Sequence, residues 1–415
     1  MACARGGAEP VAGGAETTAA AAGVAQQLAA MRGLPIRPTL GHAAAAVVHA
    51  ALMAGAVVTW GAGWWWATAA VWCAIAWMDH AALTRLHEAA HGMLSRRRWL
   101  NEVQGVVIGT AAFTPLSVYR YVHARHHAHL GRERDPEFWP YNLPGTARWV
   151  RLVYAWSELA VGWVLTPALY SVRTAASWRS VPRMQRGRLV AEWAVLIGTW
   201  GGVVAVVEVM GWWEGLLVAH VVPAWLAGTM QTVRKFTEHL GMFGEGIMGM
   251  TRTVVYGGVA GRAASASQLH VEHHATHHRF ARIPYYALPE ATGVMYAGAS
   301  GGRVFRTHVG AMLDMAPHLL DPKVGPQWGG ADGAKEQGGD GPERDWRLNS
   351  GHADCQSLGS WCGLGRGDGG WGGVAGGRAS RVRGGGGDGC GGGGGGSEGP
   401  GAVGDDGVGD GGGCG

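Results

Sequence analysis

The chain has 415 residues, is 47% hydrophobic and 15% charged, and carries a formal charge of +4 with 73 Gly and 21 Trp. Four of its six Cys (Cys355, Cys362, Cys390 and Cys414) lie in a Gly-rich terminus without zinc-like pairing, which argues against a disulfide or zinc-thiolate scaffold. Its basic residues flank apolar runs and accompany no recognition module, so no nucleic-acid partner is expected.

The first 38 residues are Ala- and Gly-rich, with Arg5, Arg32, Glu9 and Glu16 interspersed. They make a poor secretory signal and are expected to be a disordered or targeting segment. From Ala43 to Met78 there is no charged side chain, and Gly61-Ala62-Gly63 interrupts the middle. A span needs about 20 apolar residues, so this run predicts two membrane helices, over 42–60 and 63–79, joined by a tight turn. Next, Val103–Val118 and Trp149–Val172 are apolar but interrupted by Thr110, Thr114 and Pro115, and by Arg151, Glu158 and Pro167. Both are expected on or partly in the membrane. A second hairpin follows at 189–211 and 213–233, carrying Glu192, Glu208, His220 and Pro223. Trp60, Trp64, Trp65, Trp66, Trp77, Trp212 and Trp213 sit near the proposed helix ends, the headgroup level that indole prefers.

Charge orients the bundle. The segment 80–188 holds 15 Arg, including Arg96, Arg97 and Arg98, and Arg234 and Lys235 follow the fourth helix, whereas neither hairpin turn carries Lys or Arg. By the positive-inside rule both basic regions face the cytoplasm or its topological equivalent. The expected fold is therefore all-α: a multi-pass membrane bundle of about four spans in two hairpins, over 39–322, with a His-rich helical cap on the cytosolic face. From Gly325 onward the chain holds 38 of the 73 Gly, so 323–415 is expected to be a disordered tail that cannot bury enough apolar area to offset its ordering entropy.

Eight histidines fall into three clusters: His87 and His91 in H-E-A-A-H, His123, His126 and His127 in H-A-R-H-H, and His270, His273 and His274 in H-V-E-H-H. On a helix, residues three and four apart share a face, so each cluster aims two or three imidazoles at one point. Two H-x-x-H-H copies should arise by chance in roughly one such sequence in a thousand. Eight imidazoles exceed the needs of one ion and suit two, and an all-nitrogen donor set fits iron, copper, nickel or zinc. Because the first two clusters lie in 80–188 and the third follows the fourth helix, all three emerge on one face. Glu88, Asp135, Glu238 and Glu272 are candidates to accept the distal N–H of a ligating imidazole. His49 and His220, inside spans, are read as packing or tunnel residues.

The combination resembles the membrane fatty acid desaturases, together with the related hydroxylases and carotenoid-modifying oxygenases. The resemblance covers roughly residues 40–320. It rests on His87-Glu-Ala-Ala-His-Gly92, on Arg120 to Gly131 with Asp135-Pro136 downstream, and on His270-Val-Glu-His-His274 with Ile283-Pro-Tyr-Tyr-Ala-Leu-Pro289. It implies two non-haem irons on the cytosolic face of a four-helix scaffold. It also implies a ninth ligand, His239, in Arg234-Lys-Phe-Thr-Glu-His239. One departure is visible: Ala275 to Arg282 intervenes before the Pro-containing stretch, and its His277 and His278 are read as an exposed polar insertion rather than ligands. No H-P-G-G haem segment occurs in either terminus, so electrons are expected from a separate ferredoxin or cytochrome b-type carrier.

The expected activity is dioxygen-dependent introduction of a double bond into a fatty acyl chain, because an unactivated C–H bond lies beyond side-chain acid–base chemistry. Hydroxylation or ketolation of lipids or carotenoids on the same scaffold is the alternative. A rival from another class is a membrane zinc protease in which His87, Glu88 and His91 form the zincin motif, although that leaves two clusters unexplained. A metal transporter would place its ligands inside the spans. The expected location is an integral membrane one: endoplasmic reticulum or plastid in a eukaryote, inner membrane in a bacterium.

Overall fold

The computed structural model describes residues 13–37, 40–297 and 301–329. The expected tail lies outside the described residues apart from 323–329, as do residues 1–12 of the N-terminal segment. Residues 13–32 correct the expectation of disorder there. They form helix α1 (Gly13–Arg32), and Leu28 and Met31 bury themselves against Ile283, Ala287, Leu288 and Ala291. An Ala-rich run is a strong helix former once a docking face exists.

Two hairpins carry the bundle. Helix α2 (Leu40–Gly61) turns through Gly63, whose φ of +71° suits only glycine at low cost, into α3 (Trp65–Ala90). At 1.5 Å per residue α3 is about 39 Å long, more than the roughly 30 Å hydrocarbon layer, so its last turns with His87 emerge from the membrane. The second hairpin comprises α7 (Arg183–Met210), reversed at Gly211 in the left-handed region, and a return limb built from α8 (Trp213–Leu216), a π turn (Leu217–Val221) and α9 (Val222–His239). Val47, Val48, Val58, Val190, Ile197 and Val209 are exposed on these helices. Such an apolar exterior suits lipid rather than water. Trp64, Trp65, Trp66, Trp212 and Trp213 are exposed at the two turns, and Trp60 Nε1 donates to Glu214 Oε1 at 2.6 Å. The two turns thus lie side by side at one membrane level.

Between the hairpins lie α4 (Arg98–Ala111), α5 (Leu116–His129) and α6 (Arg148–Ala176). Helix α4 is amphipathic, with Trp99, Val103 and Val107 outward and Asn101, Gly105 and Gly109 inward. It ends at Phe113, where φ is +55°, and Pro115 precedes α5. Two helices depart from expectation: α6 joins α2, α7 and the α8–α9 limb among the described helices that are long and apolar enough to cross, whereas α3, expected as a span over 63–79, is not among them. Parity decides the role of α6. Histidines from α5 and from beyond α9 meet at one site, so an even number of the three intervening segments crosses, and α7 with its return limb forms the antiparallel pair. Helix α6 therefore enters and leaves on one side. It is kinked at Val161, contains Pro167, and buries Arg151 and Glu158 against the cap, where Arg151 Nε donates to the Pro322 carbonyl at 2.8 Å.

The cap is completed by α10 (Gly246–Met250), α11 (Gly258–Ser267), α12 (His274–Arg279), α13 (Leu288–Ala297) and α14 (His308–Met315), with strands β1 (Arg252–Val254) and β2 (Arg303–Phe305) paired in parallel. Arg252, fully buried, ties them together by donating to Asp314 and to the Thr237 and Leu240 carbonyls. Helix α9 packs between α3 and α6. Its approach to α6 depends on glycine: a Cβ on Gly228 would stand 2.4 Å from Trp163 Cβ and 2.8 Å from Trp163 Cα.

Candidate metal centre

Nine imidazoles converge in two groups at one end of the bundle. The first unites His87 and His91 of the α3 terminus, His123 and His127 of α5, and His277 of α12; the second unites His126 of α5, His239 of α9, and His274 and His278 of α12. Within each group the candidate ligand atoms lie within 4.8 Å of one another. Helix α5 serves both because His123 and His127, four apart, share a face that His126 does not.

The closest approaches are between like atoms. His123 Nε2 stands 3.1 Å from His91 Nε2 and 3.0 Å from His127 Nε2; His274 Nε2 stands 2.7 Å from His239 Nε2 and 3.0 Å from His278 Nε2. The outward Nδ1 atoms of several rings are already engaged. His126 Nδ1 faces Asp135 Oδ2 at 2.8 Å, His123 Nδ1 faces Glu137 Oε2 at 3.2 Å, and His239 Nδ1 faces the Met250 carbonyl at 3.0 Å, whereas His274 Nδ1 lies 3.5 Å from Glu238 Oε1 without a hydrogen bond. With the proton on Nδ1, the Nε2 atoms are bare acceptors crowded on one another. A cation satisfies that arrangement: cis ligands at about 2.1 Å from one ion stand about 3 Å apart. His87 Nε2 and His277 Nε2 are buried without a hydrogen-bond partner, which fits the same account. The residues present therefore suit two metal ions.

Electrostatics agree for every ring of the two groups except His126. Burial, followed by repulsion from neighbouring imidazoles, holds His127, His274, His277 and His278 well below the ordinary histidine value, so they stay neutral and ready to ligate. For His126, burial opposes the charged form, but the Asp135 and Glu137 carboxylates outweigh it and raise it to about 9. Burial would raise Glu137, yet His126, His123 and Lys235 hold it well below the usual carboxylate range. Asp135 is locked in turn by the Gly131 and Glu137 backbone N–H groups at 2.8 and 2.9 Å.

The structure thus brings together His87, His91, His123, His126, His127, His239 and His274 of the nine predicted ligands. It places His270 and His273 apart, in a turn that also holds Glu272. His270 Nδ1 engages Ser265 Oγ, Glu272 bonds the same hydroxyl, and His273 Nδ1 engages Thr292 Oγ1 at 2.9 Å. It is His274-Ala-Thr-His277-His278 that contributes to the two groups, and His277 and His278, read above as an exposed insertion, are both buried within them. The visible departure disappears with it, since Pro284 then follows the box closely. Among the carboxylates, Asp135 and Glu238 stand beside ligand rings as expected and Glu272 does not, whereas Glu137 was missed. Glu88 Oε1 lies 3.3 Å from His87 Nδ1.

A cavity of about 910 Å³ runs from this centre into the bundle. Tyr119, Glu137, Gln231 and Lys235 line both the cavity and the space between the two imidazole groups. Apolar side chains of α2, α3, α4, α6, α7 and α9, such as Met53, Leu83, Val107 and Val203, form most of the remaining wall. Lys235 Nζ is held at 2.7 Å by Glu158 Oε2, which removes a free cation from the passage.

Residues 62–309 match the model of a family described as fatty acid desaturase. A stretch of 63 residues, 14% of this chain, is 38% identical to a protein of Dimorphotheca sinuata described as a Delta(9) fatty acid conjugase-like enzyme. That match spans 17% of the relative's own length.

Proposed function

This chain belongs to the fatty acid desaturase family, and from that premise we propose that it introduces a double bond into a fatty acyl chain, using two irons, dioxygen and electrons from a separate carrier. As a member it is a membrane oxidoreductase acting on lipid. The observation that carries the finer reading is the pairing of two all-imidazole groups with a long apolar cavity that ends between them. His87, His91, His123, His127 and His277 would hold one ion, and His126, His239, His274 and His278 the other. Activation of dioxygen toward an unactivated C–H bond is the chemistry that such ions supply when bound.

The remaining work belongs to the chain. Asp135, Glu137 and the Met250 carbonyl hold the His126, His123 and His239 rings in the tautomer that points Nε2 inward. The largely apolar cavity wall excludes water from the reacting carbons and orients the chain mainly by van der Waals contact. Tyr119 and Gln231 line the end of that passage nearest the imidazoles.

The test is metal quantitation on the purified chain together with lipid analysis in a host of defined composition. Two irons per chain and a new double bond, both lost in His126→Ala, are the expected result. One zinc per chain and an unchanged lipid profile would overturn the proposal. Hydroxylated product with two irons would move it to the alternative outcome on the same scaffold.

A further inference from the structure

Besides Arg85, Glu137 and Lys235 toward the metal centre, three ionisable side chains interrupt the apolar wall of the cavity deeper in the bundle: His49 of α2, Asp79 of α3 and His220 of the π turn. His49 Nε2 lies 2.8 Å from Asp79 Oδ1. Helix α2 packs on the π turn, which brings His220 to the same cavity wall as His49 and Asp79. Its ring rests against Trp200 at 4.9 Å and near Phe113 at 6.4 Å. Ionisable groups at such depth are costly and rarely present without a task.

A structural account covers only part of this cluster. His49 and Asp79 could clip α2 to α3 by neutralising one another, but that leaves His220 unexplained. Its Nε2 is buried and has no hydrogen-bond partner. It also sits on the π turn of the return limb, and π insertions within helices occur mostly at functional positions. The donors and acceptors left over define what would satisfy them. A carboxylate only accepts, whereas an imidazole offers a nitrogen of either kind. A hydroxyl can donate to Asp79 while accepting from an imidazole N–H. A ketone could serve the imidazole and not the carboxylate, and an acid would be repelled.

We propose that His49, Asp79 and His220 form a recognition site for a hydroxyl group carried on the acyl chain, on the methyl-terminal side of the reacting carbons. Asp79 precedes His87 by eight residues of the same helix, which sets the site about 12 Å deeper in the membrane than the metal centre. This inference rests on reading the cavity as the acyl-chain site.

The experiment measures binding rather than turnover. The full chain in bilayer discs is titrated with radiolabelled free fatty acids of equal length, one unsubstituted and the others with a hydroxyl walked along the methyl-terminal half. One hydroxylated isomer is expected to bind about tenfold or more tighter than the plain chain, as a hydrogen bond to a charged group implies. That preference should vanish in His220→Leu and in Asp79→Asn while binding of the plain chain persists, which also controls for folding. His87→Ala should keep the preference. The inference is overturned if no hydroxylated chain outbinds the plain one in the unmodified protein, or if the preference survives in His220→Leu. Should Asp79→Asn not assemble, those two measurements decide alone. A preserved preference without any turnover would sink the desaturase reading and leave this site standing.

Discussion

At the scale of single residues, His274 explains how a correct pattern can be framed wrongly. Two H-x-x-H-H strings overlap on it, 270–274 and 274–278, and both have the spacing that puts imidazoles on one helical face. Spacing has that meaning only where the backbone is helical. Helix α12 begins at His274, whereas Leu269 and His270 sit at positive φ in the turn before it, so His270 and His273 cannot share the face of His274. The signal that could have separated the frames was the distance to Pro284, which the second string shortens. The consequence is testable by iron content: His277→Ala and His278→Ala should each lose metal and product, while His270→Ala should keep both. A reversed pattern would restore the first frame. Glu137 was missed for a related reason, since it lies in an irregular segment after α5, where no periodicity says which way a side chain points.

At the scale of elements, the contact of α6 with α9 sets the shape of the cavity. Gly162 and Gly228 let the two backbones approach, and Thr232 Oγ1 donates to the Glu158 carbonyl at 3.1 Å across the same seam. Any larger residue at Gly228 meets the Trp163 backbone, which cannot rotate away. Gly228→Leu is expected to destabilise the protein by about 1–3 kcal/mol or more, the usual cost of overpacking, and to lower its thermal midpoint in detergent. An unchanged midpoint would mean that the helices separate freely. The elements themselves were largely legible, because uncharged runs of span length and Trp-flanked turns leave few alternatives. Helix α6 was harder to place: its composition is that of a span, and only the meeting of α5 with α12 at one site shows that it cannot be one.

At the scale of the whole molecule, both hairpin turns lie on the face opposite the histidines. An epitope inserted after Gly63 or Gly211 should be protected from protease on the face where one inserted after Gly145 is cleaved; cleavage of all three from one side would contradict the parity argument. The two hairpins are also clasped at that far rim, by Trp60 with Glu214 and by Trp72 Nε1 with the Val218 carbonyl at 2.8 Å. A clasp there acts as a fulcrum. Along an arm of about 39 Å, a sway of a few degrees displaces atoms at the opposite rim by about an ångström or two, several times the roughly 0.2 Å tolerance of a coordination shell. Loosening a tryptophan on the side of the bilayer remote from any redox chemistry would therefore be felt most at the imidazoles.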